Sequence, residues 1–395
     1  MYAPLSFAAS GGSQTYNYYF KRFIHDPNFD IRLISCARFN DKERAEEELS
    51  NIPHKLIFWG DPSKGLLQRI VNLESRYSPW NKNANLISNT DAACILKTIR
   101  QYKDQGYYPD IIILEWTSII LLAERIKAIY PRARIIASEH DVTFVGYERK
   151  KDYYSGALKL IWTYKTRWEK KKEIEALNYC DIILPHNPDN VDLLAKEGFN
   201  PTRLRWLCPF FHNMVECNRS SKGKDILFFG AMSRPENSLS AIWFIENVMP
   251  LISDLDIRFV ILGSNPTTEL KNFQSERIII TGFVESIVPY FESAVCLVAP
   301  LVLGAGIKVK ILEGLSSGCP VITNQIGIEG IHAKDGIEYV FASEPIEYEK
   351  AIREAVSGGL ERIGLSGRQF IQKEYDLDKS FNEYKIMLQE LEGIN

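Results

Sequence analysis

Short, continuous runs of Val, Ile and Leu alternate with stretches of helical spacing along nearly the whole chain, and this alternation limits the fold more than any other feature. In the first half the runs are Ile31–Ser35, Lys55–Trp59, Asp110–Leu114, Arg134–Ser138, Asp181–Pro185 and Arg203–Leu207. In the second half they are Asp225–Phe229, Ile257–Leu262, Arg277–Thr281, Ala294–Ala299, Pro320–Thr323 and Tyr339–Phe341. A strand that is apolar on both sides must be covered on both faces, and crossover helices provide that cover. The pattern therefore predicts α/β architecture with parallel sheets. A chain of 395 residues also exceeds what one hydrophobic core usually organises, so two domains are expected.

The break falls in the polar, aperiodic stretch around Cys217–Lys224. It divides the chain into a first domain (1–212), a linker (213–224), a second domain (225–375) and a helical tail (376–395). In the tail, Phe381, Tyr384, Leu388 and Leu391 share one helical face, which a return onto the first domain would cover. The net charge of −3 gives no global attraction to nucleic acid, and none is expected as a partner. The seven cysteines form no CxxC pair and read as buried reduced thiols of a cytoplasmic protein. Cys208, His212 and Cys217 match no common zinc spacing, and no metal site is expected. Met1–Ser10 lacks the pattern of a signal peptide. The most apolar window, 111–126, is broken by Glu115 and Glu124, so any membrane contact would be peripheral.

Several familiar motifs fail on context. Gly304-Ala-Gly306 begins like a dinucleotide fingerprint, but Val309 stands at the third glycine position. Gly314-Leu-Ser316-Ser-Gly318 fits GxSxG, but a helical run precedes it and a strand follows, the reverse of a nucleophile elbow. Gly318 reads instead as the end of a helix. The informative stretch is 300–331, in which a strand leads into the loop Gly304-Ala305-Gly306 and a helix is expected from Ile307. A helix start behind small residues offers backbone N–H groups and a partial positive charge to a diphosphate. Lys308 adds a full charge, and Glu313 further along could accept from the two hydroxyls of a ribose. The plainer alternative is an amphipathic helix with Lys308 and Lys310 on its surface. His140 ends the strand Arg134–Ser138 at the edge where open α/β sheets carry ligands. His186 and Glu115 lie on the same edge, the latter with a capping or ion-pair role equally open.

The segments Gly304–Glu313, Ser317–Thr323 and Gly327–Gly330 resemble the donor-binding segment of retaining GT-B glycosyltransferases of family four. Ile226–Asn237, Ile261–Gly263 and Thr281–Phe283 resemble other strand ends of that family's second domain. The resemblance implies two Rossmann-like domains facing each other across a cleft. It also implies transfer of a sugar, with retention, from a nucleotide-diphosphate donor to a glycan or lipid-linked acceptor. Arg234 and Lys308 would stabilise the departing diphosphate, with His140 near the reacting sugar, and no cofactor or metal would be needed. Gly11, Gly12, Gly230, Gly263, Phe283, Val284, Gly304, Ala305, Gly306, Ile307 and Glu313 would border a UDP- or GDP-sugar donor. The family often carries a first glutamate where this chain has Ala305, so backbone N–H groups or other side chains must hold the sugar. A nucleotide-sugar 2-epimerase and a non-catalytic sugar or nucleotide binder would share the layout. Arg149, Lys150, Lys151, Lys159, Lys165, Arg167, Lys170, Lys171 and Lys172 lie among tyrosines and tryptophans. This stretch, 149–172, reads either as a patch for the inner face of an anionic membrane or, more simply, as a solvated helix with its aromatics packed inward.

Overall fold

A computed structural model describes residues 11–59, 65, 70, 83–84, 86–219 and 223–393; the stretch 1–10, read for a leader, lies outside them. The chain divides into two units, 1–210 with 377–395, and 211–376. Every strand pairing is parallel.

In the first unit β1 (Leu33–Arg38) pairs with β2 (His54–Trp59), and β3 (Ile111–Glu115), β4 (Arg134–Glu139) and β5 (Ile182–Pro185) form a second sheet in that order. β4 shows why its sequence is a continuous apolar run. Ile135 and Ala137 face one core with Leu96, Ile126 and Leu177, while Ile136 faces another with Phe23, Tyr384 and Leu388. Both faces are covered, so neither can alternate with polar residues. The C-terminal helix Leu377–Glu392 supplies that second cover, with Phe381 and Leu391 also packed there.

Most expected strands stand with their ends shifted by one residue at most, and two differ more. The first strand begins at Leu33 and runs to Arg38 instead of spanning Ile31–Ser35. Arg203–Leu207 is no strand: Leu204 makes a single bridge with Ile183. The N–H groups of Arg205 and Leu207 donate to the carbonyls of Ile183 and Pro185 at 3.0 Å, but Pro185 has no N–H to return, and the ladder stops.

The second unit holds one sheet, β8 (Ile278–Gly282), β7 (Arg258–Leu262), β6 (Asp225–Phe229), β9 (Ala294–Ala299), β10 (Val321–Thr323) and β11 (Val340–Phe341), in that order across the sheet. Chain order reverses between β6 and β9, the arrangement of a Rossmann sheet. Phe228, Phe244 and Phe259 are fully buried around β6 and β7, with the last two rings 4.5 Å apart. The polar stretch expected as a free linker is largely bound to this unit. Arg219 donates to the carbonyls of Phe291 and Ala294 at 2.9 Å, and Arg368 donates to that of Cys217 at 3.0 Å.

Leu388, 3% exposed in the core that covers Ile136, tests the role of the C-terminal helix. Leu388→Ala should destabilise the first unit by about 2–5 kcal/mol, read from its denaturant-induced transition.

Candidate active site

Parallel strands deliver all their carboxyl ends to one edge, and the second unit's expected donor residues lie there. Gly230 follows β6, Gly263 follows β7, Gly282-Phe283-Val284 close β8, and the loop 304–308 lies beyond β9. Gly263 admits no side chain: at φ +149°, an added Cβ would stand 1.7 Å from the Gly230 carbonyl oxygen. Its N–H donates to the Gly282 carbonyl at 2.8 Å, which ties the ends of β7 and β8 together. Beside them Phe283 presents a ring that is 73% exposed.

The helix after β9 runs Val309–Ser316, two residues later than expected, and Gly318 at φ +75° follows its end. Lys308 is therefore the residue before the first turn, with extended backbone, and the N–H groups of that turn have no side-chain cap. The Lys308 ammonium turns back onto the Gly306 carbonyl and pairs with Glu329 at 3.2 Å. Arg234 precedes the helix Pro235–Asn247 and is largely exposed, 3.6 Å from Glu236. Ala305 and Ile307 lie in the same loop, partly exposed.

The plainer alternative, an amphipathic helix, places Lys310 on the surface. Its ammonium instead donates to Asn237 Oδ1 at 2.7 Å and sits 4.4 Å from the centre of the Phe228 ring. Burial, then the positive charges of Arg234 and Lys308, lower its pKa to about 7. The two-residue spacing to Lys308 carried no signal of this, because the cap geometry sends the two side chains in different directions. Glu313 is buried, and its Oε1 accepts from the His212 N–H at 3.1 Å and meets His212 Nδ1 at 2.7 Å. The carboxylate raises the pKa of His212, a residue weighed in sequence only as a metal ligand.

In the first unit the carboxyl edge of β3, β4 and β5 assembles Glu115, His140 and His186. His140 Nε2 lies 2.7 Å from Glu115 Oε2. Its ring stacks on Trp116 at 4.4 Å, and the His186 ring lies 4.2 Å away with its Nε2 3.1 Å from Ser138 Oγ. Trp116 holds φ +66°, a strained value for a residue with a side chain. Burial raises Glu115 to about 7 and lowers His140 to about 3, so the imidazole is neutral at pH 7. Among the described residues the buried His140 Nδ1 has no hydrogen-bond partner. A Cβ on Gly12, in the first turn of the helix Gly11–Phe23, would stand 3.2 Å from both this nitrogen and Trp116 Nε1. Trp116 escaped the sequence reading because nothing marks a strained tryptophan in a linear pattern.

Residues 223–357 match the family model described as Glycosyl transferases group 1. The chain is 25% identical over 225 residues to an uncharacterised 44.6 kDa protein in the cps region of Klebsiella pneumoniae, a match covering 54% of this chain and 56% of that one. Among solved structures, Anabaena HepE in complex with UDP superposes with a TM-score of 0.61 at 10% identity, covering 92% of this chain and 100% of that one. Sucrose-phosphate synthase from Thermosynechococcus elongatus superposes with a TM-score of 0.63 at 11% identity, over 92% of this chain and 100% of that one. The fold is GT-B, built from two Rossmann-like domains. The match to the Glycosyl transferases group 1 model lies wholly within the second unit.

Titration separates the histidines. His212 should titrate above 6.5 in NMR spectra, and Glu313→Gln should lower its midpoint, while His140 stays neutral from pH 5 upward. Because folding raises the His212 pKa, the stability from its bond to Glu313 is full below about pH 6.5 and fades as the pH climbs through the folded-state value.

Proposed function

We propose that this chain is a hexosyl-transferring glycosyltransferase. It moves a sugar from a UDP- or GDP-sugar to a hydroxyl of a glycan or lipid-linked saccharide, with retention of configuration, in the synthesis of cell-surface polysaccharide or glycan. One observation carries the reading: at the β6–β9 switch point, an uncapped helix start and the loop 304–308 lie with Lys308, Lys310 and Arg234, and among the described residues no carboxylate pairs with Lys310. Such a point at the carboxyl edge of a Rossmann sheet suits an anion. Two findings on similar proteins support it: HepE is described in complex with UDP and glucose, and the Klebsiella relative lies in a cps region.

In this reading negative charge grows on the diphosphate as the glycosidic bond breaks, and the cations and helix N–H groups meet it without a metal ion. Phe283 offers a face for the base, and Glu313 retains the ribose through the carboxylate that His212 orients. With Ala305 at the place of a glutamate, backbone N–H groups from Gly304 to Ile307 hold the sugar. In the first unit, a neutral His140 that donates Nε2–H to Glu115 keeps Nδ1 as an acceptor for a sugar hydroxyl beside Gly11 and Gly12. The enzyme works in the cytoplasm on an acceptor met there or at the membrane's inner face.

UDP or GDP at about 100 times its dissociation constant should stabilise the protein by about 2.7 kcal/mol in a thermal-shift assay. Lys308→Ala and Lys310→Ala should each remove most of that shift and lower kcat by about 10²-fold. Near-normal transfer in both variants would overturn the donor site. Transfer should also survive EDTA, and a loss that a divalent ion restores would refute the metal-free mechanism.

A further inference from the structure

The helix Gly156–Leu177 rests on the first unit by one side of its C-terminal half, where Thr166, Glu169, Glu173, Ala176 and Leu177 are buried. Glu173 fastens it to the preceding helix, Thr143–Tyr153, by accepting the Thr143 and Phe144 N–H groups at 3.0 and 3.1 Å. At 100° per residue the stripe opposite the buried one carries Ala157, Leu160, Ile161 and Tyr164, at i, i+3, i+4 and i+7. Leu160 is 73% exposed, Tyr164 63%, Leu158 51% and Ile161 50%. Residues 155–161 are exposed on every side, so the first turns of this helix project from the unit.

The solvated-helix reading of this stretch has its aromatics packed inward and leaves no role for exposed leucines and isoleucine. Trp162 packs inward in part, edge-on to Tyr147 at 5.2 Å and stacked on Tyr154 at 6.4 Å. Leu158, Leu160, Ile161 and Tyr164 do not. Cations lie beside them: Lys150 and Lys165 are 5.0 and 5.2 Å from the Trp162 ring centre, and Lys159 and Arg167 are exposed, whereas further along Lys170 pairs with Glu197, and Lys171 and Lys172 pair with Glu175. Against these, 149–172 holds only Asp152, paired with Lys151, and Glu169, which is buried and held protonated by burial and the neighbouring Glu173. A strongly cationic, apolar tip thus stands on a chain whose net charge is −3. Among the described residues no helix is long and apolar enough to cross a membrane.

We propose that this hairpin docks the protein on an anionic phospholipid surface. Leu160, Ile161 and Tyr164 enter the boundary between headgroups and acyl chains, and Lys159 and Arg167 meet the lipid phosphates. An apolar stripe with a cationic margin suits an interfacial helix. A soluble polyanion would satisfy the cations but leave Leu160 and Ile161 in water, and a second copy of this chain would set cation against cation. The proposal is independent of the donor site, since lipid binding is read without turnover.

The test is co-sedimentation of the full chain with vesicles of phosphatidylcholine, with and without phosphatidylglycerol, at about 0.15 M salt. Binding should require phosphatidylglycerol and weaken as salt rises. The double substitution Leu160→Glu, Ile161→Glu should weaken it by more than about tenfold. Lys159→Gln and Arg167→Gln should each weaken it about fivefold. All three changes are at exposed positions, so an unchanged melting temperature verifies the fold. Failure of the wild-type chain to bind these vesicles would overturn the proposal, as would undiminished binding by the Leu160, Ile161 variant. A dimer in sedimentation velocity that the same variant disperses would overturn it in favour of self-association.

Discussion

In a parallel sheet every strand ends at the same edge, and the arrangement of this protein's polar residues depends on that constraint. The crossover helices must cover both faces, so the faces are closed to polar chemistry and the carboxyl edge is left for it. In the second unit the edge carries Gly230, Gly263, Phe283 and the loop 304–308, with the reversal of chain order between β6 and β9 opening room beside the last of these. In the first unit it carries Glu115, His140 and His186, at the ends of three adjacent strands. Residues from stretches far apart in sequence meet because strand polarity brings them to one level.

Charge is managed differently on the two edges. In the second unit Arg234, Lys308 and Lys310 are close enough that the first two lower the pKa of the third, while Lys308 pairs with Glu329 and Lys310 donates to the neutral Asn237. Like charges held together in this way favour the binding of an anion, which lowers their mutual repulsion. In the first unit burial disfavours charge, leaving a neutral imidazole stacked on an indole. A neutral ring is suited to accept a hydrogen bond from a hydroxyl, which an imidazolium cannot do.

The strands were legible because burial on both faces leaves a mark in composition. Asp225–Phe229 and Ala294–Ala299 stand in the structure with the ends read from the sequence. Arg203–Leu207 misled because its composition is that of a strand, whereas Pro185 on the neighbouring strand cannot complete the ladder. The start of the helix at Val309 was displaced for a local reason of another kind, the extended backbone of Lys308 behind a loop with glycines at positive φ.

The sequence by itself determined the α/β class, the parallel sheets and the edge on which polar residues gather, because periodicity and strand polarity follow from local composition. It also marked Lys308 and His140, each at or just beyond a recognisable helix start or strand end, and Glu313 inside the helix that follows Lys308. Only the tertiary structure decided what those groups touch: that His212 engages Glu313, that Lys310 turns to Phe228 and Asn237, and that Glu115 and Trp116 frame His140. It alone showed that Leu160 and Tyr164 face solvent while Trp162 folds partly inward. These contacts join residues from separate elements, or depend on which side of a helix the rest of the fold happens to cover, and neither is written in the spacing of a single segment.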